Sequence, residues 1–321
     1  MKVFVSRRIP EAGLALLAGD PTLQIEVWPE QLPPTAEQLR EHVSGAAGLL
    51  TLLSDRIDAA VMQAAGPQLR VIANYAVGFN NIDLNAARER GIRVGNTPDV
   101  LTSATADIAV GLLIAAARHF QAAADQVRKL QWQTWEPLGL LGQELSGKRL
   151  GIIGMGRIGL AVAQRLHGGW GMQVRYTARN PKPDAEQRCA AERVELEELM
   201  ATSDFISLHA PLTPDTRHMI GHQLLSLCQP HCVLVNTARG ELIDQHALHQ
   251  ALQEGRLFAA GLDVTEPEPI AADNPLRQLS NCLILPHIGS ATFEARAAMA
   301  RMAAANILAG IKNQPLPYPV G

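Results

Sequence analysis

Three side chains of types that cooperate in carbonyl reduction stand in the second half of the chain. They are Arg239 in Val235-Asn-Thr-Ala-Arg239-Gly240, Glu268 in Asp263-Val-Thr-Glu266-Pro-Glu268-Pro269, and His287 in Pro286-His287-Ile-Gly-Ser290. Singly, each has a plainer reading. Arg239 can pair with a surface acid, Glu268 can sit in a solvated Pro-rich loop, and His287 can be a satisfied core histidine. Together they are a cation, a carboxylate and an imidazole, each following an apolar run that reads as a strand of one sheet. Reducing a 2-oxo acid needs a cation for the carboxylate, a proton donor for the carbonyl oxygen and a hydride donor. Arg239 offers the planar fork. His287 is the side chain type that titrates near neutrality. Glu268, if hydrogen-bonded to it, orients the ring and stabilises the imidazolium.

The hydride donor has its own signal. Leu150-Gly-Ile-Ile-Gly154-Met-Gly156-Arg157-Ile158-Gly159 is G-x-G-x-x-G directly after an apolar strand and opening a helix. Gly154 would allow the tight turn, Gly156 the approach of a pyrophosphate, and Gly159 close packing of helix on strand. The helix N-terminus then presents N–H groups and positive potential to the phosphates. A nicotinamide dinucleotide is expected there. The next strand ends Tyr176-Thr-Ala-Arg179-Asn-Pro-Lys182, without the acid that would bond a ribose 2′-hydroxyl. Arg179 and Lys182 fit a 2′-phosphate, so NADPH is expected over NADH. A solvated basic loop is the plainer reading of the same residues.

These residues need a frame, and the rest of the 321-residue chain supplies it. Short apolar runs at 2–5, 25–28, 48–53, 69–73, 92–94, 150–154, 174–177, 204–209, 233–237, 260–264 and 283–286 alternate with helical patterns, the mark of parallel α/β sheets. A long Ala-rich helix is expected from about Ser103 to Leu130, and another over Thr292–Ile311. The length suits two domains. With 28 basic and 31 acidic residues, a nucleic-acid binder is not expected. The longest apolar run, Ile108 to Ala117, falls short of the ~20 residues that span a bilayer, and no signal peptide is read at the N-terminus. A cytoplasmic location is therefore expected. Cys189, Cys228, Cys232 and Cys282 form no C-x-x-C pair. They read as buried thiols, with no metal site expected.

The chain resembles the D-isomer-specific 2-hydroxyacid dehydrogenases over nearly its whole length. The resemblance rests on Ala76-Val77-Gly78-Phe79-Asn80-Asn81-Ile82-Asp83, the glycine loop, Pro211-Leu-Thr-Pro-Asp-Thr-Arg217, Asn236-Thr-Ala-Arg239-Gly240, Leu262-Asp263-Val264 and Pro286-His287-Ile288-Gly289-Ser290. Within the family, Trp132-Gln-Thr-Trp135 and His287-Ile-Gly-Ser-Ala-Thr292 are most similar to the glyoxylate/hydroxypyruvate reductases. The resemblance implies an Arg–Glu–His trio, carried onto Arg239, Glu268 and His287. Of the two acids in the loop, Glu268 is chosen because the family aligns its acid to the last Glu-Pro. Val77 and Gly78 would offer amides to the substrate carboxylate, with Ser290 lining the same pocket. Asp263 would contact the nicotinamide amide, and Pro211, Thr237 and Gly289 would lie near the cofactor.

It further implies a Rossmann cofactor domain, about 99–290, inserted in a flavodoxin-like substrate domain, 1–98 plus 291–321. Both would be doubly wound parallel sheets, with the substrate between them and hinges near Thr97-Pro98 and Ser290-Ala291. Small 2-oxo acids such as glyoxylate and hydroxypyruvate are the expected substrates. Phosphite, 2-oxogluconate, bulkier 2-oxo acids and a dinucleotide-sensing role stay open. The apolar segment around Trp132, Trp135 and Leu138–Leu141 points to a homodimer, and the resemblance implies that Trp135 would reach the partner's substrate; packing of both tryptophans in their own core is the alternative.

Overall fold

The computed structural model describes residues 1–320, which form two compact units: Met1–Leu101 with the segment from Ala291 onward, and Thr102–Ser290. The first unit holds β1 (Lys2–Val5), β2 (Gln24–Val27), β3 (Ala46–Thr51), β4 (Val71–Asn74) and β5 (Arg93–Gly95). All pair in parallel, in the order β2-β1-β3-β4-β5. β3 and β4 are buried along their whole length, as strands covered on both faces must be. On one face Phe4, Leu49 and Ile72 meet Leu39, Val61, Met62 and Ala86 from three short helices.

The other face is covered by helices Glu11–Ala18 and Phe293–Ile311. Small residues set their approach: a Cβ on Gly13 would lie 2.5 Å from Ala300 O, and one on Gly310 would lie 2.4 Å from Val71 Cβ. The returning helix is also tied by polar contacts. Asn306 Nδ2 donates to Asn96 O at 3.1 Å, and Arg70 Nη1 donates to Ile311 O at 3.0 Å.

The second unit holds β6 (Arg149–Ile153), β7 (Gln173–Thr177), β8 (Glu192–Arg193), β9 (Phe205–Leu208), β10 (Val233–Asn236), β11 (Ala259–Leu262) and β12 (Cys282–Ile284). Their order is β12-β11-β10-β9-β6-β7-β8, again parallel throughout. The order reverses between β6 and β9. In an open parallel sheet that point leaves a crevice beyond the carboxyl ends of the strands, where ligands bind. Helices Thr102–Ala117 and Arg157–Trp170 cover one face; Leu199, Leu225 and Leu248 from three other helices cover the opposite one.

The expected helix over 103–130 is not continuous. It runs Thr102–Ala117, and a second one, Phe120–Arg128, follows a break where His119 takes a left-handed conformation at φ 54°. The first is largely buried, whereas no residue of the second is. Burial rather than helical propensity marks the boundary: the packed stretch ends at Ala117. Beyond the second helix, residues 129–148 contain no helix or strand.

Candidate active site

Arg239, Glu268 and His287 follow β10, β11 and β12, three neighbours whose carboxyl ends lie on one edge of the sheet. Each turn is closed by its own hydrogen bonds. After β10, Asn236 Oδ1 accepts from Ala238 N at 2.9 Å and its Nδ2 donates to Arg239 O at 2.7 Å. Gly240 comes next because nothing larger fits. A Cβ there would lie 2.1 Å from the Thr265 carbonyl carbon. The Arg239 turn thus packs directly under the loop that carries Glu268. Arg239 is half-buried, and desolvation lowers its pKa, opposed by the negative charges of Glu268 and Glu241.

His287 Nδ1 and Glu268 Oε2 lie 2.8 Å apart. The other Glu268 oxygen accepts from Thr265 N at 3.2 Å. With Nδ1 engaged, Nε2 is the ring nitrogen left to exchange a proton with a substrate. His287 has φ 54°, a region non-glycine residues enter only when surrounding contacts fix them there. Asp263 provides those contacts. Its backbone oxygen accepts from His287 N at 2.9 Å, and its carboxylate oxygens accept from Ile288 N and Gly289 N, each at 2.7 Å. Burial pushes the Asp263 carboxyl pKa up, while the two amides draw it back down. The expected contact of Asp263 with a nicotinamide therefore has company: both oxygens already serve the His287 loop. Glu266, the other acid of the loop, pairs with Arg217 and with His218 Nε2, not with His287.

The glycine loop sits at the reversal point after β6. Gly154 has φ 93°, and a Cβ there would lie 2.5 Å from Ala210 N. A Cβ on Gly159 would lie 2.5 Å from Gly154 O. Gly156 differs from both, since a Cβ there meets nothing within 4 Å. It caps helix Arg157–Trp170 without a side-chain hydrogen bond, and neighbouring Arg157 is exposed and Ile158 half-buried. An open glycine at a helix start is the shape a pyrophosphate needs. Thr237 Oγ1 is buried without a hydrogen-bond partner among the described residues. A hydroxyl so placed invites a polar ligand group. These residues fit a dinucleotide.

At the end of β7, Arg179 is exposed and Lys182 half-buried. Arg193, which sequence reasoning did not single out, donates through Nε and Nη2 to Ala178 O at 3.2 and 3.1 Å and so braces this turn. Its place on β8, in sequence an unremarkable Glu-Arg pair, gave no signal. In the first unit, Val77 and Gly78 lie after β4; their carbonyls accept from Asn96 Nδ2 and Asn74 Nδ2, both at 2.7 Å. Ser290 is half-buried, Gly289 buried and Pro211 exposed. Trp132 and Trp135 are 66% and 78% exposed, not packed in a core of their own unit. All four cysteines are buried and unbridged, and no cluster of three metal-ligating side chains occurs among the described residues. No described helix is long and apolar enough to cross a membrane.

Comparison with known proteins adds to this geometry. Residues 110–289 match the family model for the D-isomer specific 2-hydroxyacid dehydrogenase NAD binding domain. The chain is 44% identical over 317 residues to human glyoxylate reductase/hydroxypyruvate reductase, spanning 99% of this chain and 97% of that protein. It is 48% identical over 320 residues to a glyoxylate reductase of Thermococcus gammatolerans, spanning 98% of this chain and 94% of the other. Among solved structures, the TT0316 protein of Thermus thermophilus superposes with a TM-score of 0.93 at 46% identity, covering 100% of both chains.

Directly behind the glycine turn lies His209, whose Nε2 is 2.8 Å from Ser207 Oγ. Desolvation penalises its cation and pushes its pKa down to about 3 from an ordinary 6.5. The unfolded chain then binds the proton more readily between those values, so this residue's contribution to stability falls as pH drops through that window. His209→Gln should lose less stability than wild type between pH 7 and 5. Urea unfolding midpoints at the two pH values measure this, and equal losses would contradict it.

Proposed function

The chain belongs to the D-isomer specific 2-hydroxyacid dehydrogenase family, and on that premise we propose that it reduces small 2-oxo acids with NADPH as the preferred donor. Glyoxylate would give glycolate, and hydroxypyruvate D-glycerate. The observation that carries the reading is the 2.8 Å contact of Glu268 with His287 Nδ1, at the sheet edge that also presents Arg239. A nicotinamide dinucleotide, when bound, would supply the hydride for the carbonyl carbon and be oxidised in doing so. His287 gives the proton from Nε2 to the carbonyl oxygen, and Glu268 holds the ring and offsets its positive charge. Arg239 pairs with the substrate carboxylate, with Ser290 beside it. Gly154, Gly156, Arg157, Ile158 and Gly159 would hold the pyrophosphate, while Thr237, Pro211, Asp263 and Gly289 would line the nicotinamide side.

The preference for NADPH is supported by a turn, 177–182, that carries Arg179 and Lys182 and no carboxylate. A homodimer is supported by the apolar surface of residues 130–141. Leu130 is 89%, Trp135 78% and Leu138 82% exposed in the single chain, and contiguous exposed apolar area marks an interface. In such a dimer Trp135 would meet the partner's substrate.

Three measurements test these readings. A panel of 2-oxo acids assayed at 340 nm should show glyoxylate and hydroxypyruvate with the highest kcat/KM, and His287→Ala should lose about 10²–10⁴-fold in turnover. Activity with none of the panel would favour a dinucleotide sensor; full activity in His287→Ala would remove it as the acid. Wild type should favour NADPH over NADH by roughly 10- to 150-fold. Arg179→Ala should erase most of that through KM for NADPH, and equal kcat/KM for both cofactors in wild type would reject the preference. Sedimentation at micromolar concentration should show a dimer; a monomer alone would refute it.

A further inference from the structure

We infer that Glu266 is a positioning residue for the proton-donating pair, anchoring the loop that brings Glu268 to His287. The inference rests on the reading of Glu268 and His287 given above. Glu268 is delivered by Thr265–Pro269, a stretch that leaves β11 with no strand or helix of its own. Such a stretch needs outside contacts to hold a carboxylate within hydrogen-bond distance of a ring nitrogen. Glu266 collects them.

One of its carboxylate oxygens pairs with the Arg217 guanidinium, and the other lies 2.6 Å from His218 Nε2. Its backbone carbonyl accepts from Gln245 Nε2. Two distant segments therefore grip one residue: 217–218, beyond β9, and the first residue of helix Gln245–Gln253. Those segments are joined to each other and to the Arg239 turn. His218 N donates to Glu241 O at 2.7 Å, and Ile220 N donates to Leu242 O at 3.0 Å. Gly240, beside Arg239, packs under the Thr265 carbonyl. Arg239 and Glu268 are thus held in one connected block, and Glu266 is the charged link in it.

The energetics separate this role from plain stability. The Glu266 and Arg217 side chains are 27% and 50% exposed. A pair that wet contributes little to folding. Misplacing a reacting group by about 1 Å, in contrast, can cost up to ~10²-fold in rate. The loss on breaking the anchor should appear in turnover and not in melting temperature.

The test is a double-mutant cycle on the full chain, assayed with glyoxylate and NADPH, with KM values and melting temperatures recorded for every variant. Glu266→Ala should lower kcat by roughly 5- to 50-fold, with KM for NADPH and the melting temperature little changed. Glu266→Gln, which keeps hydrogen-bonding atoms, should recover part of the loss, and Arg217→Gln should reproduce part of it. In a Glu268→Gln background, Glu266→Ala should cost less than about twofold more, because it acts through Glu268. Unchanged kcat in Glu266→Ala, or the same fold-loss in both backgrounds, would overturn the inference while leaving the pair itself intact. Wild-type kcat in Glu268→Gln would instead reject the reading of the pair.

Discussion

A single buried carboxylate organises the sheet edge that carries Arg239, Glu268 and His287. Asp263 leaves β11 with each side-chain oxygen on a different amide of the segment after β12, and its own carbonyl on the amide of His287. Charge-assisted bonds of this kind are roughly twice as strong as neutral ones. They fix a histidine in a backbone conformation it would otherwise leave. The imidazole can then meet Glu268 only because its main chain is already set. Asp263 thereby decides where the imidazole stands.

The second constraint is the room left between neighbouring turns. Gly240 and Gly154 each lie where a methyl group would enter the backbone of an adjacent loop. Parallel strands bring their carboxyl ends into one row, and the loops leaving that row must pass over one another. Glycine permits the passage at β10 and β6, so the Arg239 turn sits under the Glu268 loop and the nucleotide turn sits against residues 209–210. Gly156, with open space in front of it, is the exception that faces outward. Crowding on one side of the row and vacancy on the other are two results of the same edge geometry.

Much of this was legible in residue order. The glycine roles are backbone properties of a strand–turn–helix, so spacing alone carried them. That Arg239, Glu268 and His287 share one sheet edge was legible too, since each follows an apolar run that reads as a strand. What was not legible depends on partners distant in the chain. Glu266 and Glu268 are the same residue type two positions apart; the last Glu-Pro singled out Glu268, but the role of Glu266 depends on Arg217 and His218, nearly fifty residues earlier, which leave no mark beside it in the sequence. Asp263 bonds main-chain amides, which leave no mark in a side-chain pattern. The break at His119 was hidden because Ala116-Ala117-Arg118 has no glycine or proline to announce it. Loss of packing ends that helix, and packing is a property of the fold.

The returning helix, Phe293–Ile311, has a consequence for how the protein is made. It covers β3 and β4, strands that leave the ribosome some two hundred residues before it does. Until Ile307 and Ile311 arrive against Gly48, and Gly310 against Val71, that sheet face stays exposed to the cell, whereas Thr102–Ser290 is contiguous and can close on itself during synthesis. The order of translation therefore makes the inserted unit the earlier one to finish. The unit that begins the chain waits longest, its β3–β4 face uncovered until the last helix is made.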